Sequence, residues 1–365
     1  MHLFQYSYHL LWGTLLALTL TGCERDTPEE MLNNYQYRIS NVLKVDQLYV
    51  EDIPSRHQFP LRRHLIRPTT EIREGLLDVM NLKECKLLPL IAERNSSLGK
   101  VYAPSQKMHY ELIFFHALEK CKRKLSTDSQ VDPKLLAQVD TIYQIKKENL
   151  PSELWNGIFT AKEIELNFSR AKNLLPLLDD GSTQNSINAI KTLTDIIKSP
   201  RLGAQWEIPQ ALNNLESNYK ILYNNRSGPK ILSSLQLLTA HLMNASQTIE
   251  HGLQKKQLCF NNTPSTRAKI IQNVFYKYYI GEVQPYLAMV HKYAIEWRSA
   301  NNQLIDSFNS YNLKPSKQLE IYRRLILSNS QPDSLWAQYI FARDKHTQSW
   351  QKLLKQCGMM PTHSD

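Results

Sequence analysis

The stretch that decides the fold is FYKYYIGEVQPYLAMVHKYAIEWRSANNQLIDSF, residues 275–308. Its large apolar residues recur mostly at steps of three and four, the spacing of one helix face. They are Phe275, Tyr279, Val283, Tyr286, Val290, Tyr293, Trp297, Leu304 and Phe308. The pattern predicts one long core helix near residues 265–308. Pro285 predicts a kink in it, because proline lacks an amide N–H and crowds the preceding turn. The alternative is that this row of aromatic side chains stacks against a cofactor. We favour the core helix and predict no cofactor.

The remainder of the chain is helical in pattern as well. Only 11 of 365 residues are glycine, and no segment alternates apolar and polar residues long enough to require a strand. The sequence therefore predicts an all-α, multi-helix bundle, either undivided or split into subdomains at about 23–180 and 181–365. Further helices are predicted at about 28–42, 71–82, 88–95, 104–124, 132–149, 160–175, 184–198, 208–223, 229–256, 315–327 and 332–356.

Several residues predict where helices begin and end. Thr27-Pro28-Glu29-Glu30 combines a hydroxyl cap, a first-turn proline and a capping-box glutamate. Thr160-Ala161-Lys162-Glu163 has the same capping-box spacing. Pro151 predicts a break, so that one helix ends near Asn149 and a short turn follows.

The N-terminus has the pattern of a bacterial lipoprotein signal peptide. The apolar run Leu10–Leu20 is shorter than the ~20 residues of a membrane-spanning helix but typical of a signal peptide. Small residues and a cysteine follow, in Leu20-Thr21-Gly22-Cys23. We expect cleavage of residues 1–22 and acylation of Cys23, which would anchor residues 23–365 on a membrane facing the periplasm. Glu24 favours the outer membrane over the inner. An ordinary cleaved secretory signal, or a buried Cys23, is the alternative.

The chain is basic, with a formal net charge of +10. In the periplasm this charge favours anionic phospholipid headgroups, lipopolysaccharide phosphates or peptidoglycan carboxylates as partners, and the compartment argues against nucleic acid. The best candidate surface is a proline-containing extended connector, residues 51–68. Its arginines are Arg56, Arg62, Arg63 and Arg67. The alternative is that these arginines solvate a loop or pair with helix carboxylates.

Besides Cys23, the chain contains four cysteines: Cys85, Cys121, Cys259 and Cys357. An even number in an oxidising compartment predicts two disulfides, for which three connectivities are open. We favour Cys85–Cys121 and Cys259–Cys357, because each pair closes one half of the chain. Zinc is the alternative, but no two cysteines have the close spacing of zinc ligands, so we predict no metal.

The densest polar cluster, Ala92–Gly99, contains Glu93, Arg94 and Asn95. These residues are candidates for an anion site or for an acid–base carboxylate in Glu93. The simpler interpretation is that the cluster caps a helix and turns the chain. No phosphate-binding glycine loop, dinucleotide fingerprint or nucleophile motif is present in the sequence, so no catalytic residue is predicted.

These stretches resemble the DUF3080 family of Gram-negative lipoproteins, a family without an assigned function. The resemblance rests on Ala92–Gly99, Pro104-Ser105-Gln106, Asn273-Val274-Phe275, Lys277-Tyr278-Tyr279, Val283–Leu287, Leu335-Trp336, Trp350 and Cys357-Gly358. It covers nearly the whole mature chain and implies that the four cysteines are family positions, in support of paired thiols. It transfers no catalytic residue.

From these features we expect a lipid-anchored envelope protein that acts as a binding or scaffolding module, with another envelope protein as a candidate partner. The alternative is an envelope hydrolase that acts on glycan or lipid. A deep polar pocket around Glu93 with a second acidic residue nearby would favour the hydrolase.

Overall fold

The computed structural model describes residues 27–49, 58–72, 76–169, 173–255, 257–261 and 263–361. Helices dominate this part of the chain, which confirms the all-α prediction. The α-helices are α1 (Pro28–Leu43), α2 (Leu76–Asn81), α3 (Leu88–Asn95), α4 (Pro104–Ser126), α5 (Pro133–Phe159), α6 (Lys162–Phe168), α7 (Ser182–Lys198), α8 (Leu215–Asn225), α9 (Ser227–Lys255), α10 (Thr266–Val274), α11 (Gln284–Asp306), α12 (Lys317–Tyr322) and α13 (Leu335–Gln356).

Shorter elements connect these helices. Two π-helical stretches follow α10 and α12, at Phe275–Val283 and Arg323–Leu327. Tight 3-10 turns occupy Arg62–His64, Leu82–Cys85, Gly99–Val101, Gln210–Asn214 and Ser307–Tyr311. Two short strands, β1 (Cys259–Phe260) and β2 (Thr263–Pro264), pair antiparallel between α9 and α10. No strand was predicted, because two residues are too few to show an alternating pattern.

The helices pack around an apolar core. The helix pairs that pack most extensively are α9 with α13, α4 with α5, α7 with α11, α7 with α8, and α1 with α9. The largest fully buried side chains include Trp155, Trp297 and Trp350. The division near residue 180 stays a prediction.

Helix α1 ties the start of the described chain to its end. The predicted capping box is confirmed: the Glu30 N–H donates to Thr27 Oγ1 and the Thr27 N–H donates to Glu30 Oε2. Further along α1, the Tyr35 hydroxyl lies 2.7 Å from His346 Nε2 and accepts a hydrogen bond from Trp350 Nε1. Both partners belong to α13, so two buried polar contacts join the first and last helices of the described chain.

The predicted long helix is present and irregular. Helix α10, the π-helical stretch Phe275–Val283 and α11 follow one another without a loop, and Phe275, Tyr286 and Trp297 are buried as expected. The irregularity lies just before Pro285. There the Gln284 N–H bonds to the carbonyl of Tyr279, five residues earlier. This wider turn makes room where the proline ring would crowd a regular helix.

Three predictions about helix ends were wrong. The helix predicted to end near residue 175 ends at Phe168, and residues 173–176 are not helical. Helix α5 continues through Pro151 to Phe159, because Leu150, Leu154 and Trp155 are buried and this burial outweighs one lost backbone bond. The Thr160 hydroxyl donates to the carbonyl of Asn156 and so completes α5 instead of capping α6, which begins after Ala161.

The structure contains the two favoured disulfides. Cys85–Cys121 joins the turn after α2 to α4, and Cys259–Cys357 joins β1 to the residue after α13. All four cysteines are buried.

A close approach at Gly228 gives a stability prediction. A Cβ at Gly228 would lie 1.9 Å from the carbonyl oxygen of Asn167 and 2.9 Å from Trp297 Nε1. Because Asn167 and Trp297 are buried, neither can move freely. We expect Gly228→Ala to lower the free energy of unfolding by about 3 kcal/mol in urea denaturation.

Gly281→Ala is the matched control, because a Cβ there would only reach ordinary contact, 3.5 Å from the Tyr276 carbonyl oxygen. A helical glycine-to-alanine change without a clash should stabilise by up to about 1 kcal/mol. Equal effects of the two substitutions would contradict the assigned packing at Gly228.

Candidate functional site

A polar cleft of about 710 Å³ is bordered by α3, α4, α5 and the segment that precedes α2. We call it the polar cleft. The residues that line it include Thr70, Glu71, Arg94, Asn95, Lys100, Lys107, Tyr110, Glu111, Phe114, Lys146, Asn149 and Glu153. Cationic and anionic side chains both contribute, so the cleft can bind either charge.

Two crossed ion pairs occupy the side of the polar cleft formed by α4 and α5. Lys107 Nζ lies 2.9 Å from Glu153 Oε1, and Lys146 Nζ lies 2.7 Å from Glu111 Oε2. We call these four residues the charge quartet. Each helix contributes a lysine followed by a glutamate. Because α4 and α5 run antiparallel, the lysine of each helix faces the glutamate of the other. Both carboxylate side chains are only 6% exposed, against 32% for Lys107 and 16% for Lys146.

Aromatic rings lie beside Lys146, one of the two lysines of the charge quartet. Lys146 Nζ lies 5.0 Å from the ring centre of Phe114 and 5.9 Å from that of Tyr110, within the range of cation–π attraction. Burial, and secondarily the charge of Glu111, raise the pKa of the Tyr110 hydroxyl far above its ordinary value. Tyr110 therefore stays neutral and can donate a hydrogen bond.

Two asparagines of α5 fix the opposite wall. Asn149 Oδ1 accepts from the Thr70 N–H and its Nδ2 donates to the Thr70 carbonyl. Asn156, two turns further along α5, bonds the N–H and the carbonyl of Arg67 in the same way. These side chains satisfy the backbone of an extended segment as a neighbouring strand would, so residues 67–70 lie fixed along α5.

The polar cluster at the end of α3 lies partly inside the cleft. Arg94 and Asn95 line it. Arg94 also donates to the carbonyl of Gly99. Glu93 does not line the cleft; it is exposed and accepts a hydrogen bond from the Tyr102 hydroxyl. Among the described residues, Glu93 therefore does not lie in the deep polar pocket that would favour a hydrolase.

The arginines of the predicted basic connector have different environments. Arg62 and Arg63 are exposed on a 3-10 turn. Arg67 lies over the Trp155 ring, 5.3 Å from its centre, and donates to the Lys314 carbonyl. Arg67 therefore packs within the fold, and the connector is not uniformly a free surface. Arg56 and Cys23 lie outside the described residues.

Sequence reasoning did not single out Lys107, Glu111, Lys146 or Glu153. The available signal was Lys107 and Glu111, one turn apart on α4, and Lys146 and Glu153, two turns apart on α5. Spacing within each helix cannot give the register between α4 and α5, and that register brings the four together. No group of three or more His, Cys, Asp or Glu residues suited to a metal occurs in the described chain.

A sequence model for a family described as a protein of unknown function, DUF3080, matches residues 32–361. The chain belongs to the DUF3080 family. No curated protein and no solved structure matches it. The segment Ala92–Gly99, which carries part of the family resemblance, supplies Arg94 and Asn95 to the polar cleft. Within the described residues, no helix has the length and apolar character needed to cross a membrane.

Proposed function

We propose that the protein is a lipid-anchored, periplasm-facing binding module of the cell envelope, and that it binds its partner in the polar cleft. The observation that carries this proposal is the charge quartet, which is mostly buried yet lines an open cleft. The expected partner is a peptide segment, of peptidoglycan or of an envelope protein, that presents both amine and carboxylate groups.

The location is supported by two independent features. Leu20-Thr21-Gly22-Cys23 follows a short apolar run, as in lipoprotein signals. Two buried disulfides in the described fold are typical of an oxidising compartment. The net charge of +10 would further attract the protein to anionic lipid, lipopolysaccharide or peptidoglycan.

The charge quartet supports binding because its groups retain hydrogen-bonding capacity. Glu153 Oε2 is buried without a hydrogen-bond partner in the described chain, which is costly for a carboxylate oxygen. Lys107, one-third exposed, has further N–H donors to offer a carboxylate. A ligand carboxylate would bind the free N–H donors of Lys107, and the negative charge of Glu153 would attract a ligand amine.

The hydrolase hypothesis would now depend on Glu111 or Glu153, because Glu93 is exposed. Each of these two carboxylates is already paired with a lysine. We therefore place binding ahead of hydrolysis.

Photocrosslinking in intact cells tests the polar cleft. A photoreactive residue in place of Lys100, which is exposed at the cleft, should give a discrete adduct. The same residue in place of Lys220, exposed on α8, is the matched control and should give none.

The paired substitution Lys107→Met with Glu153→Gln removes one ion pair and leaves neither of its partners as an unpaired buried charge. It should reduce the adduct from position 100 by about tenfold, the effect of losing one charged hydrogen bond. Equal adducts from positions 100 and 220, or an adduct that the paired substitution does not change, would contradict the proposal.

A further inference from the structure

A second concave site lies beside α11, and none of its residues lines the polar cleft. It is a pocket of about 350 Å³ lined by Arg298, Asn302, Glu320, Arg323 and Arg324, among others. The π-helical stretch Arg323–Leu327 begins with two of these arginines. Asn302 of α11 donates to the carbonyl of Leu327 at its end, so this turn is fixed against α11.

Two of the three arginines already pair with a carboxylate. Arg323 Nη2 lies 2.8 Å from Asp306 Oδ1, and its Nε donates to Asn302 Oδ1. Arg324 Nη1 bonds both carboxylate oxygens of Asp333. These contacts use only part of the five N–H donors of each guanidinium, and the remainder can contact a ligand.

Arg298 differs from its neighbours, because it has no ion pair or hydrogen bond within the described structure. Its Nε is buried without a partner. The guanidinium lies over the Trp336 ring, 4.7 Å from the centre, and burial lowers its pKa. An unpaired, partly buried cation is costly to retain. The Trp336 ring holds it in position without neutralising it.

We propose that this pocket binds the phosphate group of a phosphodiester, with Arg298 as its principal contact. A guanidinium matches phosphate oxygens with paired N–H donors. Arginines from two elements, Arg298 on α11 and Arg323 and Arg324 beyond α12, suit a tetrahedral oxyanion better than a planar carboxylate. Glu320 lines the same pocket. Its negative charge disfavours a doubly charged phosphate monoester and favours a singly charged diester.

Such a diester has two sources, the headgroup of an anionic lipid or a soluble glycerophosphodiester. Calorimetric titration of the purified full chain in nonionic detergent, with glycerophosphoglycerol as the probe, measures binding of the shared group. Glycerol 3-phosphate serves as the monoester comparison. Flotation with phosphatidylglycerol vesicles, against phosphatidylcholine vesicles, then separates membrane-borne from soluble ligand.

Arg298→Met should weaken glycerophosphoglycerol binding by about tenfold or more, the loss of one charged contact. The exposed Arg201 provides the control Arg201→Gln, which should leave binding unchanged. Because Arg298 is uncompensated, Arg298→Met should not lower the unfolding midpoint, and this separates a binding role from a structural one.

Absence of glycerophosphoglycerol binding, or equal affinity in Arg298→Met, would overturn the proposal. Tighter binding of glycerol 3-phosphate than of the diester would overturn the ligand class. Arg298-dependent flotation would identify lipid as the source, and soluble binding without flotation would identify a free glycerophosphodiester. Neither result bears on the polar cleft.

Discussion

Replacing Cys259 and Cys357 together by alanine should lower the free energy of unfolding by about 5 kcal/mol. The bond joins residues 98 positions apart, so its loss releases a long loop in the unfolded chain and raises that chain's entropy. It also attaches the hairpin after α9 to the end of α13. Both cysteines are buried.

Urea denaturation followed by circular dichroism measures this effect. The corresponding change at Cys85 and Cys121, which are 36 positions apart, should cost somewhat less, about 4 kcal/mol. Reduced wild-type protein should be at least as unstable as either variant. A loss below about 1 kcal/mol for the Cys259 and Cys357 variant would show that this pairing does not stabilise the fold.

Acidification should destabilise the protein steeply. Burial lowers the pKa of His346 to about 3 and that of His241 to about 4, against about 6.5 in an unfolded chain. Below about pH 6.5 the unfolded chain therefore binds protons that the folded chain does not bind. The stability that these neutral rings contribute is full above that pH, and it is lost as the pH falls toward 4 for His241 and toward 3 for His346. The free energy of unfolding falls by about 1.4 kcal/mol per pH unit for each histidine.

The slope of unfolding free energy against pH, between pH 6.5 and 5, measures this effect. His346→Asn should reduce the slope by nearly one bound proton, because the replacement cannot titrate. His251→Asn, exposed on α9, is the matched control for the substitution itself. An unchanged slope in His346→Asn would contradict the assignment of His346 as a buried neutral ring.

Local and periodic signals predicted most of the fold. The apolar face from Phe275 to Phe308 predicted the long helix, and Thr27 with Glu30 predicted the start of α1, because each step of three or four residues in these patterns lies within about one turn of helix. The helix break predicted at Pro151 was wrong because it rested on local sequence alone. The burial of neighbouring residues in the tertiary fold outweighs the preference of proline for a break.

The candidate site was harder to predict, because its residues meet through the packing of separate elements. Arg94 and Asn95 were singled out from local polarity and do line the polar cleft. Glu153 and Lys107 form an ion pair only because of the register of α5 against α4, which the sequence pattern does not give. Arg67 was predicted to belong to a basic surface, yet Asn156 fixes its backbone and Trp155 lies beside its guanidinium.

The central claim is that this chain is an acylated envelope protein, and an intact-mass measurement of the protein purified from bacterial membranes tests it most directly. The account predicts a chain that begins at Cys23 and carries a diacylglyceryl thioether with a further acyl group on its amine. Cys23→Ala should abolish both modifications and release the protein from membranes. A chain that retains residues 1–22, or that begins at an unmodified Cys23, would contradict the account.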